Sequence, residues 1–281
     1  MDPRPIGVFD SGIGGLMAVR MLRHLLPGEP ILYLGDTARM PYGDRPAGEI
    51  DRLTGIVNDL LTLTRMDSHA MTLKLGSLAA CGTISCNAGE TLQQLPVPCF
   101  DVVTAAAEAA AQATRNGKVG LAATSATIRS GRFAEEIERR TGQAVTAVPC
   151  PLLAPMIEHG AGPDDPALAA AVAEYCQPLL QSGVDTVVLG CTHYPLIAEL
   201  FTRILGPEVS LIDCAGEAAK AAAEAMKEQH LLAEGNDPAV TEYRFTALPP
   251  QAARQTARRM LGEDFTPRLL PLEKLTAFST E

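Results

Sequence analysis

Short apolar runs alternate with longer stretches of helical spacing along the chain. The runs that predict strands are residues 6–10, 31–35, 73–80, 119–123, 144–148, 186–189 and 210–212. The stretches that predict helices are residues 16–26, 102–115, 132–140, 166–181 and 214–232. Strands that alternate with helices are typical of parallel sheets covered by helices on both faces. The pattern therefore predicts an α/β protein.

Two pairs of predicted strand ends carry similar polar residues. Asp10 ends one strand, and Cys81 follows another strand 71 residues later. Thr124 and Cys191 repeat this arrangement at a distance of 67 residues. The repeat favours two similar α/β domains that face each other and contribute one cysteine each. Coincidence among many short strands is the alternative.

The length and charge restrict the class of protein. A chain of 281 residues is long enough for about two domains with sizeable cores. Lysine and arginine total 23 and aspartate and glutamate total 33, which gives a net charge of −10. Because nucleic acids and membrane surfaces are polyanions, we expect neither as a partner. No apolar run approaches the roughly 18 residues of a transmembrane helix.

The cysteines indicate a reducing compartment. There are seven of them, an odd number, without a C-x-x-C pair or a secretory signal before them. These features favour free thiols in the cytoplasm over a disulfide framework. They also argue against a zinc ribbon.

A glycine-rich turn follows the first predicted strand. Its sequence, Asp10-Ser11-Gly12-Ile13-Gly14-Gly15, permits a tight turn into a helix whose first N–H groups can meet an anion. A dinucleotide-binding motif would need a third glycine where Met17 stands, although Asp36 lies where a ribose-binding acid would be. A plain structural turn is the other alternative.

Two cysteines lie where a thiolate would be favoured. Cys81 and Cys191 each come directly after an apolar strand and before a predicted helix start, which stabilises the thiolate. His193 could adjust the protonation of Cys191. Burial as small apolar residues is the alternative for both cysteines. A zinc site of Cys81, Cys191 and His193 would lack an ordinary ligand spacing.

Several motifs together resemble the aspartate/glutamate racemase superfamily, and most closely its glutamate racemase branch. The resemblance runs nearly from end to end. The motifs that carry it are residues 6–15, 35–43, 124–130, 150–152, 190–195 and 243–246.

The resemblance implies a racemase of two similar parallel-sheet α/β domains, with the active site at their interface. Residues 1–97 and 208–281 would form the first domain and residues 98–207 the second. The enzyme would interconvert L- and D-glutamate without a cofactor or a metal and would supply D-glutamate for bacterial peptidoglycan. Its binding partner would be this small-molecule substrate. Whether the enzyme forms a homodimer is left open.

The resemblance also assigns residues. Cys81 and Cys191 would be the catalytic acid/base pair on opposite faces of the substrate carbon, and Asp10 and His193 would assist them. The implied substrate-binding residues are Asp10, Ser11, Pro41, Tyr42, Gly43, Gly82, Thr83, Thr124, Thr127, Thr192 and His193.

One position departs from the family's pattern. The family usually has Cys-Asn-Thr at the first catalytic cysteine, whereas this chain has Cys81, Gly82 and Thr83. An aspartate or broad-specificity racemase therefore stays open, as does a non-catalytic binding protein on the same fold. We expect an asparagine at Gly82 to lower KM for glutamate, provided that the turn accepts a side chain.

Overall fold

The architecture comes from a computed structural model that describes residues 5–39, 77–79, 82–87, 99–233 and 239–270. The strands of this part of the chain are β1 (Ile6–Asp10), β2 (Ile31–Gly35), β3 (Ser77–Ala79), β4 (Cys99–Asp101), β5 (Val119–Ala123), β6 (Thr146–Pro149), β7 (Thr186–Leu189), β8 (Ser210–Asp213), β9 (Thr241–Phe245) and β10 (Pro267–Leu269).

In the described part of the chain, most α-helices come after a strand. They are α1 (Leu16–Leu25), α2 (Gly82–Asn87), α3 (Val102–Ala113), α4 (Ser125–Ser130), α5 (Arg132–Thr141), α6 (Leu153–Glu158), α7 (Pro166–Ser182), α8 (Ala198–Leu205), α9 (Cys214–Glu228) and α10 (Gln251–Leu261). Short 3₁₀ turns cover Thr37–Arg39 and Tyr194–Ile197. None of the described helices combines the length and the hydropathy needed to span a membrane.

The strands form two sheets in which every described pair is parallel. The first sheet has six strands in the order β10-β9-β2-β1-β3-β4, and the second has four in the order β6-β5-β7-β8. In the first sheet Asp10 pairs with Gly35, and in the second Leu189 pairs with Asp213. The predicted class, two parallel-sheet α/β units, is confirmed.

The chain passes between the sheets near the predicted domain limits. β4 begins at Cys99 and lies in the six-stranded sheet, although residue 98 was the expected start of the second domain. β8 lies in the four-stranded sheet, although the first domain was expected to resume at residue 208. β9 and β10 were not predicted as strands and extend the six-stranded sheet beside β2. The domain division itself stays a prediction.

Alanine-rich helices pack beside the sheets. Helix α9 packs against α1 and α3, and α3 packs against α5. Buried alanines such as Ala106 in α3 and Ala219 in α9 are fully inaccessible to solvent. Small side chains let helix backbones approach closely, and alanine has the highest helix propensity. Asp101 and Asp213 accept hydrogen bonds from the first N–H groups of α3 and α9, which fixes where these helices begin.

Candidate active site

The carboxyl ends of the two sheets contact each other through glycines. A Cβ on Gly14, in the turn after β1, would overlap Thr192 Oγ1 and lie 2.8 Å from the His193 ring. A Cβ on Gly82, at the start of α2, would lie 2.5 Å from the carbonyl oxygen of Gly190. Ligands of open α/β sheets bind outside the carboxyl ends of strands, which is where these loops meet.

Asp10 is a buried carboxylate at this edge. Its side chain is 3% exposed, and Oδ2 accepts hydrogen bonds from the Gly12 N–H at 3.0 Å and from the Tyr33 hydroxyl at 3.1 Å. Burial raises the pKa of Asp10, while the backbone N–H of Gly15 and the positive charge of His193 oppose this rise. Asp10 is therefore a carboxyl group that can exchange a proton closer to neutrality than an exposed aspartate can.

The buried residues Cys191 and His193 form a chain of contacts with the half-buried Glu158. Cys191 Sγ lies 3.7 Å from His193 Nδ1, and His193 Nε2 lies 2.9 Å from Glu158 Oε1. Burial favours the neutral imidazole, but the contacts with Cys191 and Glu158 outweigh it and raise the pKa of His193 well above its usual range. An imidazolium at this position places a positive charge beside Cys191 Sγ.

The expected threonines lie at the same edge. Thr124 Oγ1 and Thr127 Oγ1 are 3.0 Å apart in the first turn of α4, which follows β5. Thr127 also lies 3.5 Å from the Cβ position of Gly82, and Thr192 is 3% exposed. Thr192 and His193 thus contact the turn after β1, while Gly82 lies against Thr127 and the Gly190 carbonyl.

Several predicted residues lie outside this description. Pro41, Tyr42, Gly43 and Cys81 are not among the described residues. Thr83 is described only by its backbone, within α2. Their roles stay predictions.

Gly82 does not meet the condition set for an asparagine. The carbonyl oxygen that opposes its Cβ position belongs to the backbone of Gly190, which cannot turn aside as a side-chain end can. The condition on which an asparagine was expected to lower KM is therefore not met in this packing, since any side chain must push α2 away from Gly190. The constraint is close approach of two backbones.

Glu158 and Tyr33 are residues of this region that the sequence did not indicate. Glu158 ends α6 and reaches His193 from another loop of the second sheet. Tyr33 lies within an apolar strand and is fully buried, so its pattern predicts a core residue. No pattern in the sequence indicates Glu158, because the partner that it reaches depends on the tertiary fold.

Asp36, at the end of β2, is held by the C-terminal part of the chain. Thr246 Oγ1 donates a hydrogen bond to Asp36 Oδ1 at 2.6 Å and accepts one from the Ala38 N–H at 3.0 Å. Since Thr246 directly follows β9, the late strand positions an acidic group at the site edge. Within the described residues, no cluster of three or more His, Cys, Asp or Glu side chains is arranged to hold a metal ion.

The chain is similar in sequence to known proteins. The model of the Asp/Glu/Hydantoin racemase family matches residues 22–222. A glutamate racemase of Neisseria meningitidis serogroup A is 40% identical over 264 residues, which are 92% of this chain and 93% of that protein. One from Syntrophus aciditrophicus is 39% identical over 261 residues, with the same shares of the two chains.

Solved structures share the fold. A crystal structure of glutamate racemase from Francisella tularensis with D-glutamate has a TM-score of 0.85 and 32% identity, covering 97% of this chain and 99% of that one. One from Thermus thermophilus with β-chloro-D-alanine has a TM-score of 0.82 and 35% identity, covering 98% and 100%. The chain therefore belongs to the Asp/Glu/hydantoin racemase family, which confirms the resemblance. Within this family it is an enzyme of the amino-acid racemase class.

Proposed function

We propose that this enzyme interconverts L- and D-glutamate with two cysteine thiols and no cofactor. The chain of contacts through Cys191, His193 and Glu158, set against the Asp10 turn, is the observation that carries the proposal. The glutamate racemases that resemble the chain over more than nine-tenths of its length support the choice of substrate.

The reaction must remove the α-proton from one face of the substrate carbon and return a proton to the other. In one direction the Cys191 thiolate takes the α-proton, so the C–H bond breaks and an S–H bond forms. The Cys81 thiol then gives its proton to the opposite face, so its S–H bond breaks and a new C–H bond forms. The reverse direction exchanges the two roles, and no substrate rotation is required.

Neighbouring groups keep each sulfur in the required state. As an imidazolium between Cys191 and Glu158, His193 stabilises the Cys191 thiolate. Once this ring has passed its proton to solvent, the neutral imidazole accepts the proton of the Cys191 thiol and restores the thiolate for the next turnover. Asp10 serves the Cys81 thiol in the same way, since its buried carboxyl group can hold or release a proton. An unperturbed thiol has a pKa of about 8.5 and would rarely be a thiolate at neutral pH.

Hydroxyl and backbone donors would bind the substrate carboxylates. Thr124, Thr127 and Thr192 present hydroxyls at this edge, and the turn after β1 presents backbone N–H groups. Such fixed donors in a buried site stabilise developing negative charge without needing to reorient. The D-glutamate formed would enter bacterial peptidoglycan, and the cytoplasm is the compartment in which the free thiols would stay reduced.

Racemisation of an amino-acid panel, followed by chiral chromatography, tests this function. We expect glutamate to be converted fastest, and Cys81→Ser and Cys191→Ser each to lower kcat by at least about 100-fold, because an alkoxide forms far less readily than a thiolate. Cys99→Ser is the matched control, since Cys99 lies on β4 and is half-buried. Faster turnover of aspartate than of glutamate would reject glutamate as the main substrate. A fully active Cys191→Ser variant would reject the two-thiol mechanism.

A further inference from the structure

Tyr33 places a phenol hydroxyl between two oxygen atoms at the base of the Asp10 turn. Tyr33 Oη lies 3.1 Å from Asp10 Oδ2 and 2.9 Å from the carbonyl oxygen of Gly12. Both distances are those of hydrogen bonds. The ring is fully buried and packs against Phe245 at a centroid distance of 5.6 Å, so the hydroxyl is fixed in position.

A phenol carries one proton and therefore donates to one of these oxygens at a time. When Asp10 is a carboxylate, Tyr33 donates to it. When Asp10 is protonated, its O–H can donate to Tyr33 Oη, while the Tyr33 proton turns to the Gly12 carbonyl. Rotation about one C–O bond thus gives Asp10 a hydrogen-bond partner in both of its protonation states.

We propose that Tyr33 is the positioning residue that lets Asp10 alternate between acid and base during racemisation. The proposal rests on the function proposed above, in which Asp10 must hold a proton in one direction and release it in the other. Tyr33 would act on the reaction through its hydrogen bond with Asp10. A buried carboxyl group with a partner in only one state would be held in that state.

Other titratable groups surround this pair. His193 faces Asp10 from the turn after β7 and favours the carboxylate through its charge. Asp36 follows β2, and its N–H donates to the Asp10 carbonyl oxygen at 2.9 Å. On β9, Tyr243 pairs with Tyr33, and its hydroxyl faces Arg23 and Glu263. Tyr243 is therefore paired with Tyr33 on the neighbouring strand, but its hydroxyl has different polar neighbours.

The test compares Tyr33→Phe with Tyr243→Phe, which deletes the neighbouring hydroxyl. The Asp10 carboxyl carbon is titrated by ¹³C NMR in protein labelled at aspartate, with Asp10→Asn used for assignment. Tyr33→Phe removes a partner from both states of Asp10, but a hydrogen bond to the charged carboxylate is stronger than one with the neutral acid. The carboxylate therefore loses more, and we expect the Asp10 pKa to rise by about one unit. We also expect kcat to fall about tenfold and the acid limb of kcat/KM to move to higher pH. Tyr243→Phe should change neither.

The two kinds of failure are distinguishable. An unchanged Asp10 titration in Tyr33→Phe would overturn the proposal, whether or not the enzyme acts on glutamate. Equal losses of kcat in Tyr33→Phe and Tyr243→Phe would also overturn it. So would a Tyr33→Phe protein that fails to fold while Tyr243→Phe folds. A wild-type protein inert toward glutamate would reject the proposed function, and the titration would still decide whether Tyr33 controls Asp10. In an Asp10→Asn background, Tyr33→Phe should cause no additional loss of kcat.

Discussion

At the level of single residues, Glu158 is one of the two contacts that raise the pKa of His193, the other being Cys191. Glu158→Gln keeps the shape of the side chain but removes the negative charge 2.9 Å from Nε2. We expect the pKa of His193 to fall and kcat to drop by about tenfold, a smaller loss than that of a positioned acid or base itself. Glu174→Gln, on the exposed face of α7, is the charge-matched control. Steady-state kinetics over a range of pH would measure both effects.

The same substitution should change how stability depends on pH. The pKa of His193 is raised in the folded protein above the usual value near 6.5. Protonation of His193 therefore stabilises the fold fully below about pH 6.5, and this contribution is lost as the pH rises through the folded pKa. Melting curves of Glu158→Gln should show a smaller decline over that range. An identical decline in the variant and wild type would contradict the role given to Glu158.

The site residues at the ends of strands could be predicted from the sequence, whereas the side chains that they contact could not. Asp10, Cys191 and His193 follow apolar strands, and a polar residue at that place indicates a site in an α/β fold. Glu158 lies 35 residues before His193, at the end of a short helix with no distinctive pattern. Only the folded chain brings the two together.

At the scale of elements, Gly82 fixes the distance between α2 and the end of β7. In Gly82→Asn the Cβ would lie 2.5 Å from the Gly190 carbonyl oxygen, so the two backbones must separate. We expect a destabilisation of about 1–3 kcal/mol from the overpacking. A displacement near 1 Å at the catalytic edge could also cost up to about 100-fold in kcat/KM. Thermal melting and steady-state kinetics would measure the two effects.

Gly162→Asn is the control for this substitution. An added Cβ at Gly162 would meet only the end of the Arg259 side chain, at 3.2 Å, and this flexible chain can move. The control should keep its stability and activity. If Gly82→Asn bound glutamate more tightly and kept the wild-type melting temperature, the close approach of the Gly82 and Gly190 backbones would not explain why position 82 is a glycine.

Element types were predictable where the sequence pattern was long and apolar. β1, β2, β5 and β7 are buried along their whole length and agree with the predicted strands. β9 was missed because it alternates polar residues with Tyr243 and Phe245, and only these two are buried. β4 and β10 have three residues each, which is too short for a period to be recognised.

At the scale of the whole molecule, two parallel sheets bring their carboxyl ends into one contact region. The first sheet supplies Asp10 and the turn that follows it, and the second supplies Cys191 and His193. The late strands β9 and β10 complete the first sheet beside β2, and Thr246 then holds Asp36 at the site edge. The class of fold was predictable from the alternation of strands and helices. The addition of β9 and β10 to the first sheet was not, because it depends on pairing between segments that are distant in the sequence.

In the proposed mechanism, each face of the substrate carbon has its own thiol. Racemisation of L-glutamate in deuterated water, stopped early in the reaction, distinguishes this from transfer by a single base. Because the thiol that protonates the product would have exchanged with solvent, the D-glutamate formed should carry deuterium at Cα, and the unreacted L-glutamate should keep its hydrogen. Chiral separation followed by mass spectrometry would measure both. D-glutamate that retains the original hydrogen would show transfer by a single base and would contradict the account.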